Sequence, residues 1–95
     1  MTVIFSENAE TNLDAIHAHI ARYSEESAKS VIGKILRRAE QIAAFPMSGR
    51  SVPELGFPQI REVFEHPYRI MYRINADRVE IIAILHESMD FEQEN

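Results

Sequence analysis

From residue 60 onward, apolar and polar positions alternate in short runs. Tyr68–Ile74 and Val79–Leu85 are two such runs, separated by the turn-forming stretch Asn75-Ala76-Asp77-Arg78. A third run of strand character, Ile60–Glu65, precedes them across the breaker His66-Pro67. A period of two marks a strand with one buried face, so this segment is expected to fold as a three-strand antiparallel meander. On the middle strand, Arg69 and Arg73 fall on the face opposite Tyr68, Ile70, Tyr72 and Ile74. A small sheet that packs one face and shows cations on the other is a candidate binding surface.

The first half has a helical period instead. Thr2–Phe5 is a β-branched and aromatic run, long enough for one edge strand. Ser6 stands where an N-cap belongs, and Glu7 and Glu10 suit the positive end of a helix dipole. Ala9, Leu13, Ile16, Ile20 and Tyr23 then form one stripe of a 3.6-residue period. A second helix is expected from about Ser24-Glu25-Glu26, with the stripe Ala28, Val31, Ile32, Ile35, Leu36, Ala39, Ile42 and Ala43. Pro46 ends it, and Met47–Pro58, rich in Pro and Gly, reads as a loop. Two helices with almost no linker fold back as an αα-hairpin. The expected fold is α+β in the order β-α-α-β-β-β, with the hairpin packed on one face of a small antiparallel sheet.

Centring the last turn on Ala76-Asp77 sets a register. Tyr72 then faces Ile81, Ile74 faces Val79 and Tyr68 faces Leu85 on the helix-covered side. On the other side Arg73 lies opposite Glu80, Met71 opposite Ile82 and Arg69 opposite Ile84. An opposed Arg–Glu pair supports this register, at roughly 0.2–1 kcal/mol. Met71, Ile82 and Ile84 are thereby expected to form an exposed apolar strip, and such strips mark partner sites. The register of Ile60–Glu65, and so the face that carries Arg61, is left open by the sequence.

Composition restricts the functional classes. The 95 residues suit one domain, 1–95, and 45% hydrophobic with 26% charged residues is ordinary globular usage. No run reaches the roughly 18 apolar residues of a membrane span, and the start MTVIFSENAE lacks a signal-peptide pattern. With no cysteine, neither a disulfide nor a thiolate metal site can form, and cytoplasmic residence is expected. No metal site or cofactor is expected, since the four histidines form no ligand cluster in sequence. The net charge of −5 argues against broad gripping of nucleic acid, which relies on Lys and Arg displacing counterions. Cations are nonetheless concentrated locally: Lys34, Arg37 and Arg38 on the second helix, and Arg61, Arg69, Arg73 and Arg78 in the meander.

The string Arg61-Glu62, then Pro67-Tyr68-Arg69-Ile70-Met71-Tyr72-Arg73-Ile74, then a strand ending in His86 resembles the RelE/ParE toxin superfamily. The N-terminal strand, the αα-hairpin and the Phe45-Pro46-x-x-Gly49-Arg50 loop are similar as well, so the likeness spans nearly the whole chain. It is nearest to the ParE branch of type II toxin–antitoxin toxins. The resemblance implies a co-expressed antitoxin whose C-terminal segment wraps the toxin, and a toxin–antitoxin hetero-oligomer. It implies DNA gyrase as the target for ParE-like members and ribosome-bound mRNA for RelE-like members.

Chemistry separates the two branches. In-line RNA cleavage needs a base, an acid and cations for the charge that builds on phosphate. RelE-like nucleases resemble one another in a Lys, Arg, Tyr or His cluster on the open sheet face and at the C-terminus. Here Arg69 is present, but residues 86–94, HESMDFEQE, hold no Lys or Arg and four acidic side chains (Glu87, Asp90, Glu92, Glu94). Met89 stands where many relatives carry an arginine. The expectation is therefore a toxin that acts by binding, with no catalytic residue. Arg61, Arg69, Arg73 and His86 are its target-binding candidates, and Met71, Ile82 and Ile84 its antitoxin-binding candidates. An mRNA endonuclease of RelE type is the alternative, and a member that only binds its antitoxin and regulates its operon is a third.

Overall fold

The computed structural model describes residues 1–89. The stretch that carries Asp90, Glu92 and Glu94, to which part of the acidic-tail expectation refers, lies outside the described residues. The elements run β1 (Thr2–Phe5), α1 (Glu7–Ala21), α2 (Glu25–Ala44), a 3₁₀ turn (Pro46–Ser48), β2 (Arg50–Ser51), β3 (Ile60–Glu65), β4 (Tyr68–Ile74) and β5 (Arg78–His86). Both helices start at serine caps. The Ser6 hydroxyl accepts from the Ala9 N–H and the Ser24 hydroxyl from the Ser27 N–H, each satisfying a donor that the first turn leaves free.

The five strands form one sheet in the order β1-β5-β4-β3-β2. The meander β3-β4-β5 is antiparallel as expected, and the two-residue β2 extends it beside β3. The N-terminal strand is an edge strand, but it lies parallel to β5, so the sheet is mixed and not wholly antiparallel. The parallel direction follows from connectivity: β1 reaches the sheet again only through the helical hairpin.

The β4–β5 register follows the sequence expectation near the turn and departs from it farther on. Tyr72 pairs with Ile81, Arg73 with Glu80 and Ile74 with Val79. A bulge then intervenes, so that Met71 pairs with Ala83, Ile70 with Ile84, Arg69 with Leu85 and Tyr68 with His86. One extra residue on β5 reverses the facing of everything beyond it. Ile84 thus belongs to the helix-side core, with Ala9, Ile35, Ala39, Ile42, Val63, Ile70, Tyr72, Val79 and Ile81.

A second, smaller core lies on the other face. Val52 packs with Ile60, Met71, Ala83 and Leu85, with Leu55 and Ile82 at its margin. The segment between β2 and β3 crosses this face as a strap. Met71 is therefore fully buried and Ile84 is 2% exposed, so the expected open apolar strip does not exist as a surface. Tyr23 also departs from its stripe: α1 ends at Ala21, and the ring is exposed.

Candidate functional site

Three local arrangements could carry function. The first lies below the C-terminal end of α2. Tyr72 faces the helices, and its hydroxyl donates to the Pro46 carbonyl at 2.6 Å while accepting from the Gly49 N–H at 2.9 Å. Arg61, paired with Tyr72 across β3–β4, shares this face and donates from Nη1 to the Gly49 carbonyl at 2.8 Å. A Cβ on residue 49 would stand 2.5 Å from the Tyr72 oxygen and 2.6 Å from the Glu62 carbonyl oxygen, so only glycine fits. The Phe45-Pro46-x-x-Gly49-Arg50 motif is thus a turn riveted to the sheet by one phenol. Burial pushes the Tyr72 pKa above the ordinary tyrosine value, against the opposing pull of the Gly49 N–H and of Arg61 and Arg38 nearby.

The second arrangement is on the strapped face. Arg69 is only 5% exposed and does not present a free cation. Its Nε and Nη2 meet Glu62 Oε1 at 2.8 and 2.7 Å, Nη2 meets Glu54 Oε2 at 2.9 Å, and Nη1 donates to the Met89 carbonyl at 2.6 Å. Arg50 Nε reaches the second Glu62 oxygen at 2.7 Å. Burial works against the guanidinium charge, but hydrogen bonds and attraction from Glu62 and Glu54 outweigh it, and the Arg69 pKa is raised. One guanidinium ties together β3, the strap and Met89, three residues past the end of β5.

The third is a groove at the sheet's β5 edge. β1 covers β5 only over Arg78–Ile81. Past that point the first turns of α1 take the strand's place: Ser6 Oγ and Asn8 Nδ2 donate to the Ile82 carbonyl at 3.2 and 2.9 Å, and the Ile84 N–H donates to Asn12 Oδ1 at 2.9 Å. Beyond Asn12 a mostly apolar cleft of about 290 Å³ opens between Ala15, Ile16 and His19 of α1 and Tyr68, Ile84 and His86 of the sheet. α1 has a single buried residue, Ala9, so the helix leaves much of this side uncovered.

The sequence candidates scatter over these places. Arg61 joins the Tyr72 node. Arg69 and Met71 are enclosed under the strap, Ile82 borders that small core, and Ile84 is the groove floor. Arg73 is the one of the four target candidates lying on the outward face with a half-exposed side chain, and Glu80 answers it at 3.4 Å. His86 is exposed at the groove rim, with Nδ1 2.8 Å from Ser88 Oγ. The expectation that Arg69 displays a cation is corrected by the strap, whose Glu54 comes from a loop that no strand pattern locates. Glu62 carried the signal in part: an acid centred in a strand, between Ile60 and Phe64 on its own face, needs a cation. No helix among the described residues is long and apolar enough to cross a membrane, and no described group of three His, Cys, Asp or Glu is placed to hold a metal.

Comparison with known proteins gives a consistent result. Residues 3–91 match the family model described as the ParE toxin of the type II toxin–antitoxin system parDE. A Sinorhizobium fredii protein named "Putative toxin Y4kP" is 34% identical over 86 residues, covering 85% of this chain and 82% of its own. A solved structure titled as the chromosomal ParDE TA system from P. aeruginosa superposes with a TM-score of 0.74 at 22% identity, covering 90% of this chain and 95% of that one. That level of identity speaks for the shared fold.

Proposed function

Because the chain belongs to the ParE toxin family of type II toxin–antitoxin systems, we propose that it inhibits DNA gyrase by binding and is neutralised by a cognate antitoxin. The action is in the cytoplasm, where gyrase and DNA are. The observation that carries the binding mechanism is the state of Arg69. A nuclease working on the open sheet face needs cations free to meet phosphate. Here the strap covers that face, and Glu62 and Glu54 neutralise the one arginine at its centre. His86 at the rim is engaged with the Ser88 hydroxyl, 2.8 Å from its Nδ1.

The antitoxin reading attaches to the α1–β5 groove. Ser6, Asn8 and Asn12 already satisfy the Ile82 and Ile84 backbone groups, so an antitoxin segment engages this place through apolar side chains that enter the cleft. Met71 does not serve here, being sealed under the strap. Ile84 serves as floor.

Induced expression is expected to trigger a DNA-damage response and filamentation before translation slows. Purified protein is expected to stabilise gyrase-cleaved DNA and to leave mRNA on translating ribosomes uncut. Codon-specific cleavage in the ribosomal A site, lost on Arg69→Ala, would overturn the binding mechanism.

A further inference from the structure

The turn after α2 shows two large apolar side chains to solvent, Phe45 at 70% and Met47 at 66% exposed. Scattered exposed apolar residues are normal, but these two stand one residue apart on a fixed support. Tyr72 clamps the turn through Pro46 and Gly49, and the missing Cβ of Gly49 lets the sheet approach. A turn whose backbone is already fixed has little backbone freedom left to lose on binding, which is part of what preorganised interfaces exploit.

Two cations stand at the base of the turn. Arg61 and Arg38 are both close enough to the Tyr72 hydroxyl to act on it. Arg61 lies against the Gly49 carbonyl, and Arg38 bonds Gln41 and the Phe64 carbonyl. Lys34, Arg37 and Glu40 are exposed along α2, in a chain whose net charge is −5. The Arg61 Nε is buried without a partner among the described residues. Two cations at the base of an apolar tip, on a protein that is acidic overall, are complementary to an acidic partner.

We propose that the Phe45–Met47 turn, with Arg38 and Arg61 at its base, is the surface that docks on the target: an acidic protein surface with an apolar recess. The inference rests on the binding-type reading above and deepens it by placing the contact. It shares no residue with the α1–β5 groove, so target and antitoxin contacts can be varied separately.

The test uses the Phe45→Ser/Met47→Ser double variant and Arg38→Gln, with purified DNA gyrase as probe and growth arrest on induction as a second readout. Both apolar positions are exposed, so the double variant is expected to keep its melting temperature and its antitoxin affinity. It is expected to lose more than about tenfold in gyrase affinity and to stop arresting growth. Arg38→Gln is expected to weaken binding less and to reduce its salt dependence. A double variant that binds gyrase and arrests growth like the wild type overturns the surface. Should the wild type arrest growth without binding gyrase, gyrase fails as target and the growth readout alone decides the surface. A wild type that does neither removes the binding-toxin reading and the surface with it. Tight binding of duplex DNA by the toxin alone, lost in the double variant, overturns the assignment to a protein partner.

Discussion

Glu62 on β3 and Arg69 on β4 meet at 2.7–2.8 Å beneath the strap, with the Glu62 side chain wholly shielded from solvent. The same carboxylate holds Arg50 through its other oxygen, so it bridges a buried and an exposed guanidinium. Such a pair gains little over an apolar pair of the same shape, because both ions lose hydration. Breaking one side of it is costly, since a charge is then left in the interior.

Arg69→Ala is accordingly expected to cost about 3–5 kcal/mol, read as a shift in the denaturant midpoint. It also removes the Arg69–Glu54 contact between the strap and the sheet. Combining Glu62→Leu with Arg69→Met is expected to cost clearly less than the two single changes added together. Additive losses would mean that the two side chains do not work as a unit.

Gly49→Ala forces a methyl group into the Tyr72 hydroxyl and the Glu62 backbone, and a loss of about 1–3 kcal/mol or more is expected. Tyr72→Phe keeps the ring but leaves the Gly49 N–H and the Pro46 carbonyl without the phenol, at about 1–3 kcal/mol. The second change also has a pH signature. The folded protein holds the Tyr72 proton more tightly than the unfolded chain, because burial raises its pKa. The advantage of wild type over Tyr72→Phe is then complete below the unfolded value near 10 and falls as pH rises through the folded value. Melting curves of both proteins from pH 8 upward check this, and a constant difference would show that Tyr72 does not ionise differently on folding.

The helices, their serine caps and the meander were legible because each rests on local pattern: a 3.6-residue stripe, a hydroxyl before it, an alternation of two. The bulge was not. After Glu80, β5 reads Ile81-Ile82-Ala83-Ile84-Leu85, five apolar residues with no polar position to show which face is which. Either register fits such a run, and the bulged one is accompanied by bonds from the Asn8 and Asn12 side chains of α1, far away in sequence. The burial of Arg69 was hidden for a related reason. Alternation assigns a residue to a face, but it does not say that a Pro- and Gly-rich loop will fold over that face and bring Glu54 with it. The groove was missed because neither α1 nor β5 marks it alone: it exists where one strand stops short of another.

Asn12→Ala removes the acceptor of the Ile84 N–H, and a loss of about 1 kcal/mol with faster hydrogen exchange at that amide is expected. Ile84→Asp behaves differently from a surface change. It places a carboxylate in the helix-side core, so loss of the folded state is expected, visible as a collapsed thermal transition. A well-folded Ile84→Asp protein would show that β5 can return to the unbulged register.

Ala15 is exposed on α1 at the wall of the groove, and arginine there suits a helix and fills the cleft without touching the core. If an antitoxin segment fills this cleft, Ala15→Arg blocks it sterically while the melting temperature stays within about a degree or two of wild type. Antitoxin affinity is expected to fall by more than about tenfold, the loss of one central anchor. Lys29→Ala, outside the residues that line the groove, is expected to leave that affinity unchanged. The change also gives a cellular readout: co-expressed antitoxin should no longer rescue growth from the Ala15→Arg toxin, although it rescues the wild type. Full rescue together with unaltered affinity would place the antitoxin on another face of the molecule.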